Sequence, residues 1–463
     1  MQGPQWLALA MLAVLAGALF SGLPVAVVLI GVGLAFGGAG VLLGVLRSTD
    51  LGAIYFRIHG SLSDSDEILY ATVPLLVFMG SMLQKTGAGE DLLLGMRAAL
   101  RRAPGALPIA VILVGAALAP AAGVIAASVG ALALLAFPVM LRHAYRPDQA
   151  AGVICAAGSL GVVVPPGIML FFVADSIGVQ VPALFLGMLG PLALLLACYL
   201  VYAAFALRAP PVQSFVAPAQ EENAPITVFS RLALPVALLA AMLGSVALGW
   251  ATLSESAALG AAGAVAIAAL QRRLTLRGLD EAIRDTFLTT SMVFFIFIGA
   301  SVFSLVFRLL GGGDLIVAAF RALHFDALGV LCTVLLVVFV LGFFFDWVEI
   351  VLITFPVLRA VLDGLDFGGH VAVPHLAPYW AAALLALNLQ TSFLTPPFGY
   401  ALLLARGAAP PGVALADIYR GVVPYVVIQV LVIGTVIAFP SIATWLPSQA
   451  FDLAPARVEK FRE

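Results

Sequence analysis

Two apolar segments, far apart in the chain, are interrupted in the same way. Gly158 to Gly167 reads GSLGVVVPPG, and Gln390 to Gly399 reads QTSFLTPPFG. In each, small and hydroxyl residues precede or flank a proline pair, Pro165-Pro166 or Pro396-Pro397, inside a stretch otherwise fit to cross a bilayer. Proline lacks a backbone donor and its ring clashes with the preceding turn, so both helices are expected to unwind there. Unwound backbone at membrane depth persists only where it is buried in protein or lines a polar cavity. Matched breaks in the two halves of one chain point to a binding site at the bilayer midplane, of the kind secondary transporters build.

The rest of the composition agrees with a bilayer as solvent. Of 463 residues, 63% are hydrophobic and only 10% charged, with a mean hydropathy of +1.14, so the chain reads as an all-α polytopic membrane protein. A net charge of -2 offers no basic field for nucleic acid. Cys155, Cys198 and Cys332 lie in apolar runs at wide spacing and read as buried, inert thiols rather than a disulfide or zinc framework. The start, MQGPQW, lacks the basic residues of a cleaved signal, so residues 5–20 are expected to stay as a first membrane helix.

Long apolar runs fall near 5–20, 23–46, 68–84, 106–141, 149–174, 181–206, 229–249, 253–270, 288–307, 327–360, 376–405 and 418–446. At about 20 residues per crossing most are single spans. The runs 106–141 and 327–360 are longer and are interrupted in the middle, at Ala119-Pro120-Ala121-Ala122-Gly123 and between Gly342 and Glu349. Each is read as a re-entrant hairpin. The resulting trace puts 14 of the 22 basic residues, Lys85, Arg142, Arg272 and Arg406 among them, on one face, which should be cytoplasmic. Arg47, Arg308, Arg359, Asp175, Asp326 and Asp363 fall on the other.

The chain also repeats itself. Asp91 to Leu100 resembles Asp314 to Leu323, each ahead of a long run; Phe137-Pro138-Val139 closes the first long run and Phe355-Pro356-Val357 the second. A proline-pair helix and a last span follow in both halves. We therefore expect two repeats, 1–206 and 229–446, each with five crossings and one hairpin, joined by a polar cytoplasmic linker at 207–228 and followed by a tail at 447–463. An odd number of crossings inverts the second repeat relative to the first.

At the first break Gly158, Ser159 and Gly161 offer backbone carbonyls and one hydroxyl, ligands that suit a hard cation. The plainer alternative is a packed kink with Ser159 bonded back to its own helix. At the second break Asn388, Gln390, Thr391, Ser392 and Thr395 crowd into eight residues and must face protein or water; interhelical hydrogen bonding is the plainer alternative. Within FFFDWVEI, Asp346 and Glu349 are costly at membrane depth and read as ligand or gate residues. Alternatively Asp346 caps the outgoing half-helix, and Glu349 turns to water or a neighbouring subunit. The first hairpin has only Ser128 as a polar residue near its centre, with Gly123, Ala126 and Ala127 suiting close packing at a tip. Glu255 reads as a first-turn carboxylate after a serine cap, and the five histidines as solvated. No phosphate-binding loop, nucleophile elbow or HExxH motif occurs. An intramembrane protease would need its two carboxylates on separate helices, whereas Asp346 and Glu349 share one segment; a purely structural scaffold would leave paired breaks without a purpose. The chain is expected not to be an enzyme.

The stretches RHAYRPDQAAGVICAAGSLGVVVPPG and NLQTSFLTPPFGYALLLARGAAPPGV, followed by DIYRGVVPY, and the arm GLDEAIRDTF resemble the large membrane subunit of the tripartite ATP-independent periplasmic (TRAP) transporters, over nearly the whole length. The second motif is similar to the branch labelled mannitol/chloroaromatic-type. The resemblance implies a sodium-driven importer of the ion transporter superfamily, with sodium as coupling ion, no other cofactor, and an elevator domain moving against a scaffold. It implies a small four-helix membrane subunit and a periplasmic substrate-binding protein as partners, small carboxylates as substrates, and a bacterial inner membrane location with both termini periplasmic. It places one sodium site at Gly158, Ser159 and Gly161 and another at Thr391, Ser392 and Thr395, with Asp346 close by. Asn388, Gln390, Glu349, Ser128 and the four prolines are then substrate or gate residues. The first hairpin tip departs from the family's polar Gly-Ser-rich pattern, so backbone carbonyls rather than tip side chains are expected there. The alternative is a self-sufficient ion-coupled carboxylate carrier of the same superfamily that needs no binding protein.

Overall fold

The computed structural model describes residues 5–19, 21–63, 69–85, 105–122, 125–207, 225–322, 324–396 and 399–452. The Asp91–Leu100 arm, Gly123 at the first hairpin tip, most of the linker, Pro397 and the end of the tail lie outside the described residues. Those described form helices joined by short turns, with no strand among them. Five helices are individually long and apolar enough to cross a membrane: Val25–Leu42, Val181–Ala206, Leu253–Leu270, Leu276–Leu309 and Leu415–Ala438. The outer surface carries many exposed large apolar side chains, Leu42, Phe205, Trp250 and Leu431 among them, as a surface immersed in lipid does and a water-exposed one does not. The chain is an all-α polytopic membrane protein.

The first half runs α1 (Gln5–Leu19), α2 (Val25–Leu42), α3 (Ser48–Ser63), α4 (Leu69–Lys85), α5 (Ala106–Ala122), α6 (Ile125–Arg142), α7 (Pro147–Ser159), α8 (Ile168–Ile177) and α9 (Val181–Ala206). The second runs α10 (Pro225–Ala247), α11 (Leu253–Leu270), α12 (Leu276–Leu309), α13 (Gly312–Ala322), α14 (Ala327–Leu341), α15 (Trp347–Glu349), α16 (Phe355–Leu362), α17 (Ala377–Ser392), α18 (Tyr400–Ala408), α19 (Leu415–Ala438) and a closing α20 (Ser441–Asp452). Both proline-pair segments are broken: α7 gives way to a 3-10 turn at Leu160–Val162 before α8, and α17 ends at Ser392 before α18. The long run at 327–360 is likewise interrupted, from Gly342 to Asp346, and a π-helical turn at Ile350–Thr354 joins α15 to α16.

Two bodies share the fold. In one, α2 packs on α12, and α4 packs on both α11 and α12, with α10 against α11. Close approach explains the first seam: a Cβ at Gly299 would lie 2.8 Å from the Ala26 carbonyl, and one at Gly33 3.0 Å from Val302. In the other body α7 is the hub, in contact with α5, α6, α18 and α19, while α14 packs on α17 and α20 on α9. The bodies meet where α4 touches α5 and where α12 touches the π-helical turn.

Several sequence expectations need correction. The arm GLDEAIRDTF is not separate from the next span: α12 is one helix of 34 residues, about 51 Å long at 1.5 Å per residue. No breaker interrupts it, and its polar first turns continue the same hydrogen-bond ladder beyond the apolar stretch. Lys85 at the end of α4 anchors this extension, reaching Glu281 and Asp285 at 3.2 Å each. The cap of α11 is Thr252 rather than a serine, exchanging hydrogen bonds with Glu255 in a reciprocal capping box. Only Cys155 is buried; Cys198 is half-buried and Cys332 exposed, because an apolar residue of a membrane protein can face lipid. His370 is not simply solvated: its Nε2 donates to the Ile437 carbonyl at 2.8 Å and its ring packs on Trp380.

The α7–α19 crossing is the tightest seam in the hub. A Cβ at Gly152 would collide with the Gly421 carbonyl, and one at Gly421 with the Asp148 carbonyl. Backbone cannot move aside as a flexible side chain can, so Gly152→Ala should destabilise the protein by about 1–3 kcal/mol. Gly434→Ala, on the same α19 with nothing within 4 Å of the new methyl, should leave stability unchanged or slightly raised. Thermal unfolding of the purified protein in detergent checks the contrast.

Candidate binding site

The first break is built from backbone. Ser159 ends α7 fully buried, and Gly161, Pro165, Pro166 and Gly167 are buried after it. The amides of Val163 and Val164 both donate to the Leu160 carbonyl. A Cβ at Gly167 would lie 2.8 Å from the Val162 carbonyl oxygen and 3.1 Å from that of Val164, so glycine there lets two carbonyls crowd the start of α8. The Pro165–Pro166 bond is cis. Pro166 does not face the polar residues of the site; it lines an apolar crevice with Leu76, Phe185, Met242 and Ala257, against the other body.

The second break is built from side chains. Asn388, Gln390, Thr391 and Ser392 are buried on α17, Thr395 is half-buried and Pro396 exposed. Thr391 Oγ1 donates to the Leu387 carbonyl at 3.2 Å, Ser392 Oγ to Asn388 at 3.3 Å and Thr395 Oγ1 to Thr391 at 2.7 Å. Ser159 Oγ does the same at the first break, donating to Ala156 at 3.0 Å. Each hydroxyl proton is thus turned into its own helix, which leaves oxygen lone pairs as the outward chemistry. Glycine closes this break too: Gly399 has φ +32, and a Cβ there would lie 3.1 Å from the Thr395 carbonyl.

Both hairpins cover the breaks. Ser128 on α6 donates to the Gly158 carbonyl at 2.8 Å, and a Cβ at Gly158 would lie 2.9 Å from Val129 Cα. On the other side Asn388 Nδ2 donates to the Leu335 carbonyl of α14 at 2.7 Å, and a Cβ at Gly342 would collide with the Ser392 side chain. The two breaks touch each other through Gln390, whose Nε2 donates to Ser159 Oγ at 3.4 Å.

Asp346 and Glu349 join this cluster less directly. Asp346 occupies the N-cap position of α15, yet no side-chain cap hydrogen bond forms. Its Oδ1 is buried without a partner, as is Glu349 Oε2. Each carboxylate thus keeps one buried oxygen without a hydrogen-bond partner. Trp347 between them stacks obliquely on Phe172 of α8, ring centroids 6.2 Å apart, so the second hairpin also leans on the first broken helix. The sequence reading named Gly167 and Gly342 only as bounds of their segments, without a role at the site, and left out the Leu335 carbonyl. The glycine after each proline pair was the available signal for the first; the other two become visible only when α14 and α17 are brought together.

The arrangement has a definite chemistry. Each break exposes the carboxyl end of one half-helix, which favours a cation, and the amide end of the next, which favours an anion. Buried paired breaks under two hairpins are the architecture of a secondary transporter. Residues 11–442 match the family described as "Tripartite ATP-independent periplasmic transporter, DctM component", and the chain belongs to that family as a membrane subunit of a TRAP transporter. It is 25% identical over 437 residues to the sialic acid TRAP transporter large permease protein SiaM of Vibrio cholerae, covering 93% of this chain and 96% of that protein. Identity to the C4-dicarboxylate large permease DctM of Pseudomonas aeruginosa is 24%, over 83% of this chain and 87% of that one. The 2,3-diketo-L-gulonate large permease YiaN of Escherichia coli is also 24% identical, over 79% and 83%. The fold is similar to the crystal structure of the Alcanivorax borkumensis YdaH transporter, with a TM-score of 0.58 at 16% identity, covering 87% of this chain and 90% of that one. These relatives are transporter components and not enzymes.

The Asn388–Leu335 bond yields a prediction. Asn388→Leu would remove a second hydrogen bond from the Leu335 carbonyl, which its own helix already satisfies, at a cost of about 0.5–1.5 kcal/mol. The purified variant should unfold at lower temperature, and exchange of amide hydrogens should rise in α14 and α17 before α2, α4 and α12.

Proposed function

We propose that the chain is the permease subunit of a sodium-coupled importer of small organic anions, delivered by a periplasmic binding protein and shared with a small membrane subunit. The observation that carries this reading is the meeting of both breaks and both hairpins in one buried cluster, with hydroxyl oxygens and half-helix ends converging on it. Sodium is taken by oxygens alone. Carbonyls of residues 158–161 with Ser159 supply one set, and Thr391, Ser392 and Thr395 the other. The amide ends of α8 and α18 favour the substrate carboxylate. Relatives named for sialic acid and C4-dicarboxylates support the carboxylate class.

In this proposal residues 1–206 and 229–446 are inverted repeats of five crossings and one hairpin each. The body around α7 moves as an elevator against the body around α4 and α12. The subunit resides in a bacterial inner membrane, with both termini on the periplasmic side. Arg359 and Asp363, which the charge trace assigns to one face, form an ion pair.

Ser392→Ala and Thr395→Ala, tested in proteoliposomes with both partners present, should each lower transport. Each should raise the sodium concentration for half-maximal uptake by about tenfold, the equivalent of about 1.4 kcal/mol for one lost oxygen. Unchanged sodium dependence would remove these residues from the ion site. Full uptake by the permease alone would favour the self-sufficient carrier instead.

A further inference from the structure

Gln390 is the one side chain that touches both breaks in a hydrogen bond described here, across 231 positions of sequence. Ser159 has a single hydroxyl proton, and it is donated to the Ala156 carbonyl. The Ser159 oxygen can therefore only accept from Gln390, which fixes the amide nitrogen as the end facing it. The other end of the same planar amide, Oε1, is buried and has no partner, and Gln390 as a whole is 0% exposed. On one side the connection continues to α6, through Gly158 and Ser128. On the other it continues along α17 to Asn388 and the Leu335 carbonyl of α14. Hydrogen bonds and two short stretches of backbone thus link the first hairpin to the second, with Gln390 at the crossing.

We infer that Gln390 is a cation ligand through Oε1 and, through Nε2, the link that makes cation binding at the two breaks cooperative. The inference rests on the proposed sodium coupling. Amide oxygens are ordinary ligands of hard cations, and Oε1 is the unpartnered acceptor on this bridge. A cation that takes Oε1 fixes the plane of the amide and with it the direction of Nε2. The fixed Nε2 holds the Ser159 oxygen in one orientation, with its proton on Ala156 and its remaining lone pair free. The next cation at the first break then meets a hydroxyl already ordered, so the entropy of ordering it is lost once rather than twice. By reciprocity the first break tightens the second by the same factor. Loss of the bridge uncouples the sites without removing either set of ligands around Thr391, Ser392 and Thr395 or the carbonyls of residues 158–161.

The experiment is a sodium titration of the purified full-length protein without substrate, read by tryptophan fluorescence and by the sodium-induced rise in melting temperature. Potassium at equal ionic strength is the control. The wild type should respond to sodium with a Hill coefficient above 1. Gln390→Glu, which keeps an oxygen for the cation and loses the Nε2 donor to Ser159, should bring it to about 1 while the full sodium-induced rise in melting temperature is kept; loss of a whole site would lower that rise as well. A Hill coefficient unchanged in the variant, or a fall in the rise alongside it, would overturn the inference. Gln390→Asn, whose shorter amide keeps a carbonyl oxygen but withdraws the nitrogen from Ser159, keeps the test decisive if Gln390→Glu fails to fold. A wild-type response with a Hill coefficient of 1 would overturn the coupling while leaving sodium binding in place. No sodium response at all would overturn the sodium reading, and this inference with it.

Discussion

Backbone polar groups that a helix no longer satisfies cannot be left to lipid, and the structure is organised around that constraint. Two helices lose their ladder at proline pairs, and each loss exposes amides and carbonyls that cost several kcal/mol apiece in hydrocarbon. At the first break the loss is contained locally: Val163 and Val164 both turn back to the Leu160 carbonyl, and everything from Ser159 to Val163 is buried. At the second the chain uses tertiary reach, the Ala401 amide donating across the break to the Phe393 carbonyl at 3.3 Å. The hairpins are the cover that makes this possible. Ser128 of α6 and the Leu335 carbonyl of α14 are the points at which that cover meets the breaks.

What holds the cover down is close approach. In a bilayer, burial of apolar surface gives little drive for helix to meet helix, and dispersion between closely packed backbones must supply it. The body containing the breaks accordingly places glycine or alanine at its main contacts: Gly115 on Ala157, Gly158 on Val129, Gly152 on Gly421, Gly190 on Ile442. At several of these an added methyl would meet backbone, not a side chain that could rotate away. The other body mixes both kinds: a Cβ at Gly299 of α12 would lie 2.8 Å from the Ala26 carbonyl. Gly260 of α11 faces the thioethers of Met79 and Met242, flexible groups that can repack.

Much of this was legible in the residues, and the limits follow from physics. Proline acts through local sterics, so the two breaks could be placed from the sequence, and the observed ends at Ser159 and Ser392 lie inside the motifs that marked them. Hydropathy reports where lipid begins, not where a helix ends, and so the polar start of α12 was separated from a span with which it forms one helix. For the same reason an apolar neighbourhood did not tell the buried Cys155 from the exposed Cys332. For Asp346 the residues left ligand and cap both open; the fold adds that no side-chain cap bond forms at that position and that Trp347 packs on Phe172. Partners such as Leu335 for Asn388, 53 residues away, carry no local signal because any carbonyl would serve.

The two breaks are not equivalent, and the inequality bears on how such a site could work. The first offers carbonyls in a sealed setting, with one hydroxyl held from both sides by Ala156 and Gln390. The second offers hydroxyls along α17 and opens outward at Thr395 and Pro396. A sealed set of carbonyls is a template whose geometry is fixed by folding; a row of side chains beside an open end can still reorganise when a ligand arrives. The half-helix beyond the second break is nonetheless tied to the hub. Cys155 of α7 lies 3.8 Å from the Ala401 carbonyl, and α18 packs on both α6 and α7. The open break is therefore linked to the helix that ends in the closed one, through packing along α18 and through the amide of Gln390. The cluster has one half set by backbone and the other by side chains, because proline and glycine shape the first break while the hydroxyls of α17 shape the second.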